Sequence, residues 1–253
     1  MIEWPSGTYV LIPSYKSAGQ LKQFLNMLFK IVPKDHVLIV DDASRDGTYE
    51  YCLESDIMCL RHDVNRGKGA ALKTGFAYLT AGSRAVNASA INAKWILTMD
   101  ADGQHSLSDI PRFLEMARKW PHTGICIGAR DMRIGAMPPT RILSNRLTSL
   151  ILTLLTGQRI KDSQCGYRLY SGPLAASTHL KYNRFQMESE VILKTAAKKI
   201  PITFVRVQTL YLKGGRSHIS HLIDTVRWAV AVFGVWYGIR FKGNINGKSG
   251  KSA

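Results

Sequence analysis

Two apolar runs that end in aspartates constrain this chain more than any other feature of its sequence. His36–Asp41 carries Val37–Val40 straight into Asp41-Asp42, and Lys94–Met99 runs straight into Asp100-Ala101-Asp102. Short runs of Val, Ile and Leu without polar alternation read as strands buried on both faces, and Thr8–Pro13 has the same character. Between Thr8–Pro13 and His36–Asp41, Leu21, Leu25, Leu28 and Phe29 recur at helical spacing. Ile57–Arg61 reads as a third strand, and Leu72, Phe76 and Leu79 predict a helix over Lys68–Thr80. Ser108 is placed to cap a helix whose apolar face is Ile110, Phe113, Leu114 and Ala117. Strands alternating with helices predict an α/β domain with a largely parallel sheet, and such sheets bind ligands at the carboxyl ends of their strands.

Residues 81–93 read as a loop. Further on, Ile142–Leu155 predicts an amphipathic helix, Arg184–Lys198 another, and Ile202–Val207 a strand. An aromatic helix over Ser220–Phe241 precedes a Gly/Lys/Asn/Ser tail expected to be disordered. The expected organisation is a catalytic domain over 1–219, then an amphipathic helix and basic tail over 220–253. The longest strongly apolar run, Trp228–Ile239, is too short for a bilayer span, which needs about 20 residues.

Charge narrows the partners. Across 253 residues, 34 Lys and Arg stand against 18 Asp and Glu, a formal excess of +16 that calls for an anionic partner: nucleic acid, a phosphorylated small molecule or an acidic lipid surface. Nucleic acid is disfavoured, because the basic residues are spread along the chain and no reader motif stands out. Cys52, Cys59, Cys126 and Cys165 lack CxxC or metal-knuckle spacing and read as small buried hydrophobes in a reducing compartment.

The aspartates carry the chemistry. Carboxylates one residue apart at a strand end, as in Asp100 and Asp102, can share a hard divalent cation that also takes diphosphate oxygens. A further acidic group, Asp162, is expected at another strand end.

Four blocks then stand in one order: Val40–Thr48 (VDDASRDGT), Asn65–Leu72 (NRGKGAAL), Met99–His105 (MDADGQH) and Asp162–Arg168 (DSQCGYR). Together they resemble the signature blocks of family 2 glycosyltransferases with the GT-A fold. The last block resembles the branch of dolichyl-phosphate mannose synthases and bacterial polyprenyl-phosphate glycosyltransferases. The resemblance spans residues 8 to 221. It implies an inverting transfer of a hexose from a UDP- or GDP-sugar to a lipid phosphate, with Mg²⁺ or Mn²⁺ as cofactor.

Roles follow from the resemblance position by position. Pro13 and Tyr15 match a first donor-site turn, although Ser17 stands where relatives often carry an acid. Asp41 is the implied base-binding carboxylate, Asp42 shapes the same pocket, and Lys68 lies where the donor pocket closes. Asp100, Asp102 and Gln104 form the implied metal and diphosphate platform. Arg130, and more loosely Arg141 and Ser144, face the acceptor, where a guanidinium suits phosphate. Arg216, Ser217 and His218 sit in a Gly-rich loop that resembles one closing over the site. Asp162 is the implied catalytic carboxylate, a base or an orienting group. Glu188 and Glu190 are placed to line the acceptor cleft, with a Glu190–Lys194 salt bridge as the alternative. Arg146, like Arg141, also fits a solvated helix face, and Lys68 a plain exposed lysine.

Other readings remain at this level. A glycan or glycolipid hydroxyl is the alternative acceptor. A nucleotidyltransferase would need a Gly-rich triphosphate loop that Pro13–Gly19 does not supply, and an inactive binding module would not need every acidic position filled. The aromatic last helix, with Trp228, Phe233, Trp236, Tyr237 and Phe241 between Arg227 and Arg240-Phe241-Lys242, predicts peripheral docking on a cytoplasmic membrane face, with a core or dimer contact as the alternative.

Overall fold

In a computed structural model of the protein, residues 3–82, 91–132, 137–209 and 221–242 are described. The first half alternates as the sequence predicts: β1 (Thr8–Ser14), α1 (Ala18–Leu28), β2 (Val37–Asp41), α2 (Thr48–Glu54), β3 (Met58–Arg61), α3 (Lys68–Thr80) and β4 (Trp95–Thr98). Then follow α4 (Ile110–Lys119), β5 (Ile125–Arg130), α5 (Pro139–Thr156), β6 (Arg168–Ser171), α6 (Gly172–Ser177), α7 (Gln186–Ala197), β7 (Ile202–Val207) and α8 (His221–Tyr237).

The strands form one sheet in the order β3-β2-β1-β4-β6-β5-β7. Every neighbouring pair is parallel except β6, which runs antiparallel to both β4 and β5. Chain order reverses on either side of β1, which pairs with β2 through Val10–Ser14 against Val37–Asp41 and with β4 through Thr8–Leu11 against Trp95–Thr98. That register brings the carboxyl ends of β1, β2 and β4 together. Asp41-Asp42 and Asp100–Asp102 therefore meet at one crevice, where parallel sheets hold their ligands.

Helices cover both faces of the strands. Leu21, Phe24, Leu25 and Leu28 of α1 are buried, and every residue of β2 is buried. Burial of aliphatic area at about 25 cal/mol per Å² makes these layers the main source of stability. Ser108 is not the cap expected of α4. It lies in a 3₁₀ turn, Leu107–Asp109, its hydroxyl hydrogen-bonded to Ser106, and Asp109 takes the N-cap position without a side-chain capping bond. Asp162 is not at a strand end either: it lies in the loop between α5 and β6.

Helix α5 is built inside out. Its buried face carries Asn145, Thr148 and Ser149 beside Ile142 and Leu152, while Leu143, Leu147, Leu150 and Leu154 are between 53% and 74% exposed. Helix α8 packs against α7 with Ala231 and Val232 buried, and Trp228 donates its indole N–H to Ser189 of α7 at 2.8 Å. No helix among the described residues is long and apolar enough to cross a membrane.

Candidate active site

Past the end of β2, Asp42 organises the turn that starts α3. Its carboxylate accepts the backbone N–H of Arg66 at 2.8 Å and of Gly67 at 2.7 Å. Nδ1 of buried His62 meets the same carboxylate at 2.7 Å, and Nε2 meets the Thr74 hydroxyl at 2.9 Å. Gly67 has φ +94°, and a Cβ there would stand 2.7 Å from the Asn183 carbonyl, so only glycine fits the turn. Asp41 is fully buried. One oxygen accepts the Ser44 N–H at 3.1 Å; the other has no hydrogen-bond partner and lies 3.5 Å from Arg61 Nε. Pro13 is a buried residue within β1, facing Val40, and not part of a turn. Tyr15 follows the strand and is exposed, and Ser17 closes the bend by a 2.7 Å hydroxyl contact with Ser14.

Lys68 is not an exposed lysine. Its ammonium lies 2.7 Å from Asp100 Oδ1 and 3.0 Å from Glu188 Oε1. Burial alone would pull its proton affinity down, but the two carboxylates raise it above the ordinary lysine range. Burial acts against the Asp100 carboxylate as well, and Lys68 offsets it, holding the group at about 2. His105 stacks on Tyr167, ring centroids 4.7 Å apart, and accepts the Asp100 N–H through Nδ1 at 3.3 Å. Burial pulls His105 down to about 4. Asp102 behaves differently from Asp100: burial, then the charge of Asp100, push its carboxyl above the usual range, although it accepts the Gln104 N–H at 3.0 Å.

A second cluster is built on Asp162, which is 0% exposed. Its Oδ2 accepts from Arg130 N at 3.2 Å and Arg130 Nε at 2.8 Å. Its Oδ1 accepts from the second guanidinium nitrogen at 3.0 Å, Asn145 Nδ2 at 2.7 Å, Gln164 N at 3.1 Å and Cys165 N at 3.0 Å. Burial works against its charge, but these donors, led by Arg130, more than offset it and hold the carboxyl below its usual range. Arg130 also exerts its charge on Asp100 and His105. Ser144 accepts from Gln164 Nε2 at 3.1 Å, and Arg141 is half-buried one turn earlier on α5. Arg146 is exposed, with one 3.4 Å hydrogen bond to the Met132 carbonyl. Arg216, Ser217 and His218 lie outside the described residues.

The loop after Asp162 locks both halves together. A Cβ on Gly166 would stand 2.7 Å from Lys68 Nζ and 2.9 Å from Asp100 Oδ2. Arg168, fully buried, donates to the carbonyls of Cys165 at 2.6 Å, Ser163 at 2.7 Å and Glu188 at 2.9 Å. Glu188 is thus held between Lys68 and Arg168. Glu190 accepts the N–H groups of Lys181 and Tyr182 and makes the salt bridge to Lys194, at 2.7 Å, that was its alternative reading. Sequence reasoning assigned no role to Asn145, His105 or Arg168. Only the position of His105 and Arg168 inside the recognised blocks could have pointed to them.

A mixed, mostly parallel sheet of this order with acidic strand ends at its switch point is a GT-A-like fold. The model for "Glycosyl transferase family 2" matches residues 9–174, and the chain belongs to that family. An undecaprenyl-phosphate mannosyltransferase of Micrococcus luteus is 28% identical over 247 residues, covering 91% of this chain and 96% of the relative. A UDP-N-acetylglucosamine–dolichyl-phosphate N-acetylglucosaminyltransferase of Methanococcus voltae is 28% identical over 225 residues, 80% of this chain and 85% of the relative. Among solved structures, glucosyl-3-phosphoglycerate synthase of Mycobacterium tuberculosis, in complex with Mn²⁺, UDP-glucose and phosphoglyceric acid, superposes with a TM-score of 0.67 at 15% identity, covering 92% of this chain and 79% of that one. That likeness supports the fold.

Proposed function

We propose that the chain transfers a hexose, with inversion, from a UDP- or GDP-sugar to a polyprenyl or dolichyl phosphate at a membrane surface. The observation that carries the acceptor class is the saturation of Asp162. A carboxylate that already accepts six N–H groups and sits below its normal range is a poor general base. A sugar hydroxyl would need a base; a phosphate monoester is anionic near neutral pH and needs only to be oriented. Arg130, fixed by Asp162, is the orienting group, with Arg141 and Ser144 on the same side, and Arg216 and Ser217 are assigned there from the sequence alone. The phosphate oxygen attacks the anomeric carbon as the bond to the nucleoside diphosphate breaks. The relatives named as acting on dolichyl or undecaprenyl phosphate support the same acceptor.

Pro13, Tyr15, Asp41, Asp42 and Lys68 are assigned to the donor. The Asp100 and Asp102 carboxylates fit Mg²⁺ or Mn²⁺, with Gln104 beside them, because the unfavourable charge on Asp102 is of the kind that a cation relieves. When bound, the ion neutralises charge developing on the leaving diphosphate.

Attachment to a membrane is supported by the inside-out helix α5. No acidic residue stands between Asp131 and Asp162, while Arg133, Arg141, Arg146, Arg159 and Lys161 do. On α8, Val226, Val230, Phe233, Tyr237 and Phe241 form a second exposed apolar stripe, although Trp228 and Trp236 turn inward. Exposed leucines and aromatics with basic flanks suit an anionic bilayer surface.

The deciding assay is release of UDP or GDP from a panel of nucleotide sugars with and without polyprenyl phosphate. Release that depends on the lipid phosphate is expected; equal release with a glycan or glycolipid hydroxyl overturns the acceptor class. In flotation with anionic vesicles, the full chain should rise at low salt and the Leu143→Gln/Leu147→Gln/Leu150→Gln variant should rise less. A wild-type chain that stays at the bottom refutes the membrane reading.

A further inference from the structure

Lys68 is harder to explain than the residues around it. A lysine ammonium within 2.7 Å of the carboxylate assigned to a divalent ion occupies the ground that the ion needs. It is held there from two sides. Glu188 grips the ammonium at 3.0 Å, and the Gly166 backbone lies so close that a Cβ there would stand 2.7 Å from Lys68 Nζ and push the side chain aside. Glu188 itself is fixed by Arg168, whose guanidinium lies 3.8 Å from its carboxylate and donates to its backbone carbonyl at 2.9 Å.

We propose that Lys68 is a resident counter-cation of the metal site, which a divalent ion displaces from Asp100 only in company with a nucleoside diphosphate. The proposal rests on the assignment of Asp100 and Asp102 to a divalent ion. Two physical facts make binding of the free ion weak. First, a hard cation takes six or more oxygens, and the described residues contain no group of three His, Cys, Asp or Glu side chains able to hold one. Second, an ammonium and a dication at one carboxylate repel strongly at a few ångströms, even at the effective dielectric of a protein cleft. A diphosphate corrects both faults, since it supplies the missing oxygens and the negative charge that balances two cations.

Glu188 makes the exchange affordable. When Asp100 turns to the metal, Lys68 loses one of its two carboxylate partners and keeps the other, so no unpaired ammonium is left buried. Metal and nucleotide should therefore bind cooperatively, each raising the affinity of the other by the same factor.

The test is titration of Mn²⁺ into the full chain, following free Mn²⁺ by electron paramagnetic resonance, alone and with UDP or GDP. Lys68→Met removes the ammonium. Lys68→Met/Glu188→Gln removes the ammonium and its tether together, which keeps the local charge sum unchanged and guards against a folding defect in the single variant. The wild type should need the nucleotide to bind Mn²⁺. Both variants should bind Mn²⁺ alone about 10-fold more tightly or better, with the nucleotide-induced gain reduced by the same factor. Thermal midpoints give a second readout: Mn²⁺ alone should raise that of the variants and leave the wild type nearly unchanged. Unchanged or weaker Mn²⁺ binding in both variants, while UDP or GDP still recruits Mn²⁺ to the wild type, overturns the role of Lys68. A wild type that binds no Mn²⁺ with either nucleotide overturns the metal assignment and this proposal with it.

Discussion

Asp162→Asn isolates the acceptor half of the site, because asparagine keeps the shape and changes one oxygen to an amide. The natural orientation keeps oxygen at the Oδ1 position, where Arg130, Asn145, Gln164 and Cys165 all donate. The amide nitrogen then faces two donors, the N–H and the Nε–H of Arg130. Flipping the amide is worse, since four donors would then face a donor. The guanidinium, whose side chain is only 20% exposed, also loses this carboxylate. Breaking one partner of a buried pair costs about 3–5 kcal/mol. For a chain of this size that lowers the thermal midpoint by roughly 6–20 °C, at roughly 2–4 °C per kcal/mol.

The discriminating measurement is a double-mutant cycle with Arg130→Met by thermal and urea unfolding. Arg130→Met alone takes the cation from the buried carboxylate, whereas the double variant removes both charges, so it should be more stable than the sum of the single losses requires. Calorimetric titration of the donor into folded Asp162→Asn, below its midpoint, should give nearly wild-type affinity, with transfer reduced on the order of 100-fold or more. A single variant within about 1 kcal/mol of wild type, or additive losses around the cycle, would refute the buried-pair reasoning. A large loss of donor affinity would move Asp162 to the nucleotide pocket.

Three further outcomes are expected. Asp102→Asn should cut turnover on the order of 100-fold, and EDTA should abolish initial rates that Mg²⁺ or Mn²⁺ restores; full activity in EDTA contradicts the metal assignment. Gly69→Ala should destabilise the chain by roughly 1–3 kcal/mol in urea unfolding, because its Cβ would meet the Asn183 and Arg184 backbone at 2.7–2.9 Å. For acid unfolding, the depressed Asp162 carboxyl stays ionised in the folded chain at pH values where the unfolded chain takes up a proton. Its contribution is therefore present above about pH 4 and is lost as the pH falls through its folded value, so wild type should lose stability below that point more steeply than Asp162→Asn.

How far the sequence can be read depends on whether a residue's partner is local. The strands and the acidic switch point were legible because a buried parallel strand needs an unbroken aliphatic run, and Val37–Val40 and Trp95–Thr98 supply it within a few residues. Lys68 was open from sequence because its two carboxylates come from Asp100 and Glu188, brought in by the end of β4 and the start of α7. The misplaced strand end at Asp162 has a related cause: its donors come from β5, from α5 and from the loop that follows, and no pattern within the block predicts their meeting. Asn145 was invisible for the same reason.

Helix α5 shows the limit most sharply. Its 3.6-residue period is plain in the sequence, and the ordinary inference turns the leucine face inward. The structure turns it outward because Asn145, Thr148 and Ser149 are consumed by the loop that carries Asp162 and Ser163. Buried polar groups need partners and exposed leucines do not, so satisfying that network fixes the helix's rotation about its own axis. The rotation that seats Asn145 on Asp162 is also the one that presents four leucines to the outside. The geometry of Arg130 and the apolar outer face are thus two consequences of one network, and weakening Asn145 should disturb both at once.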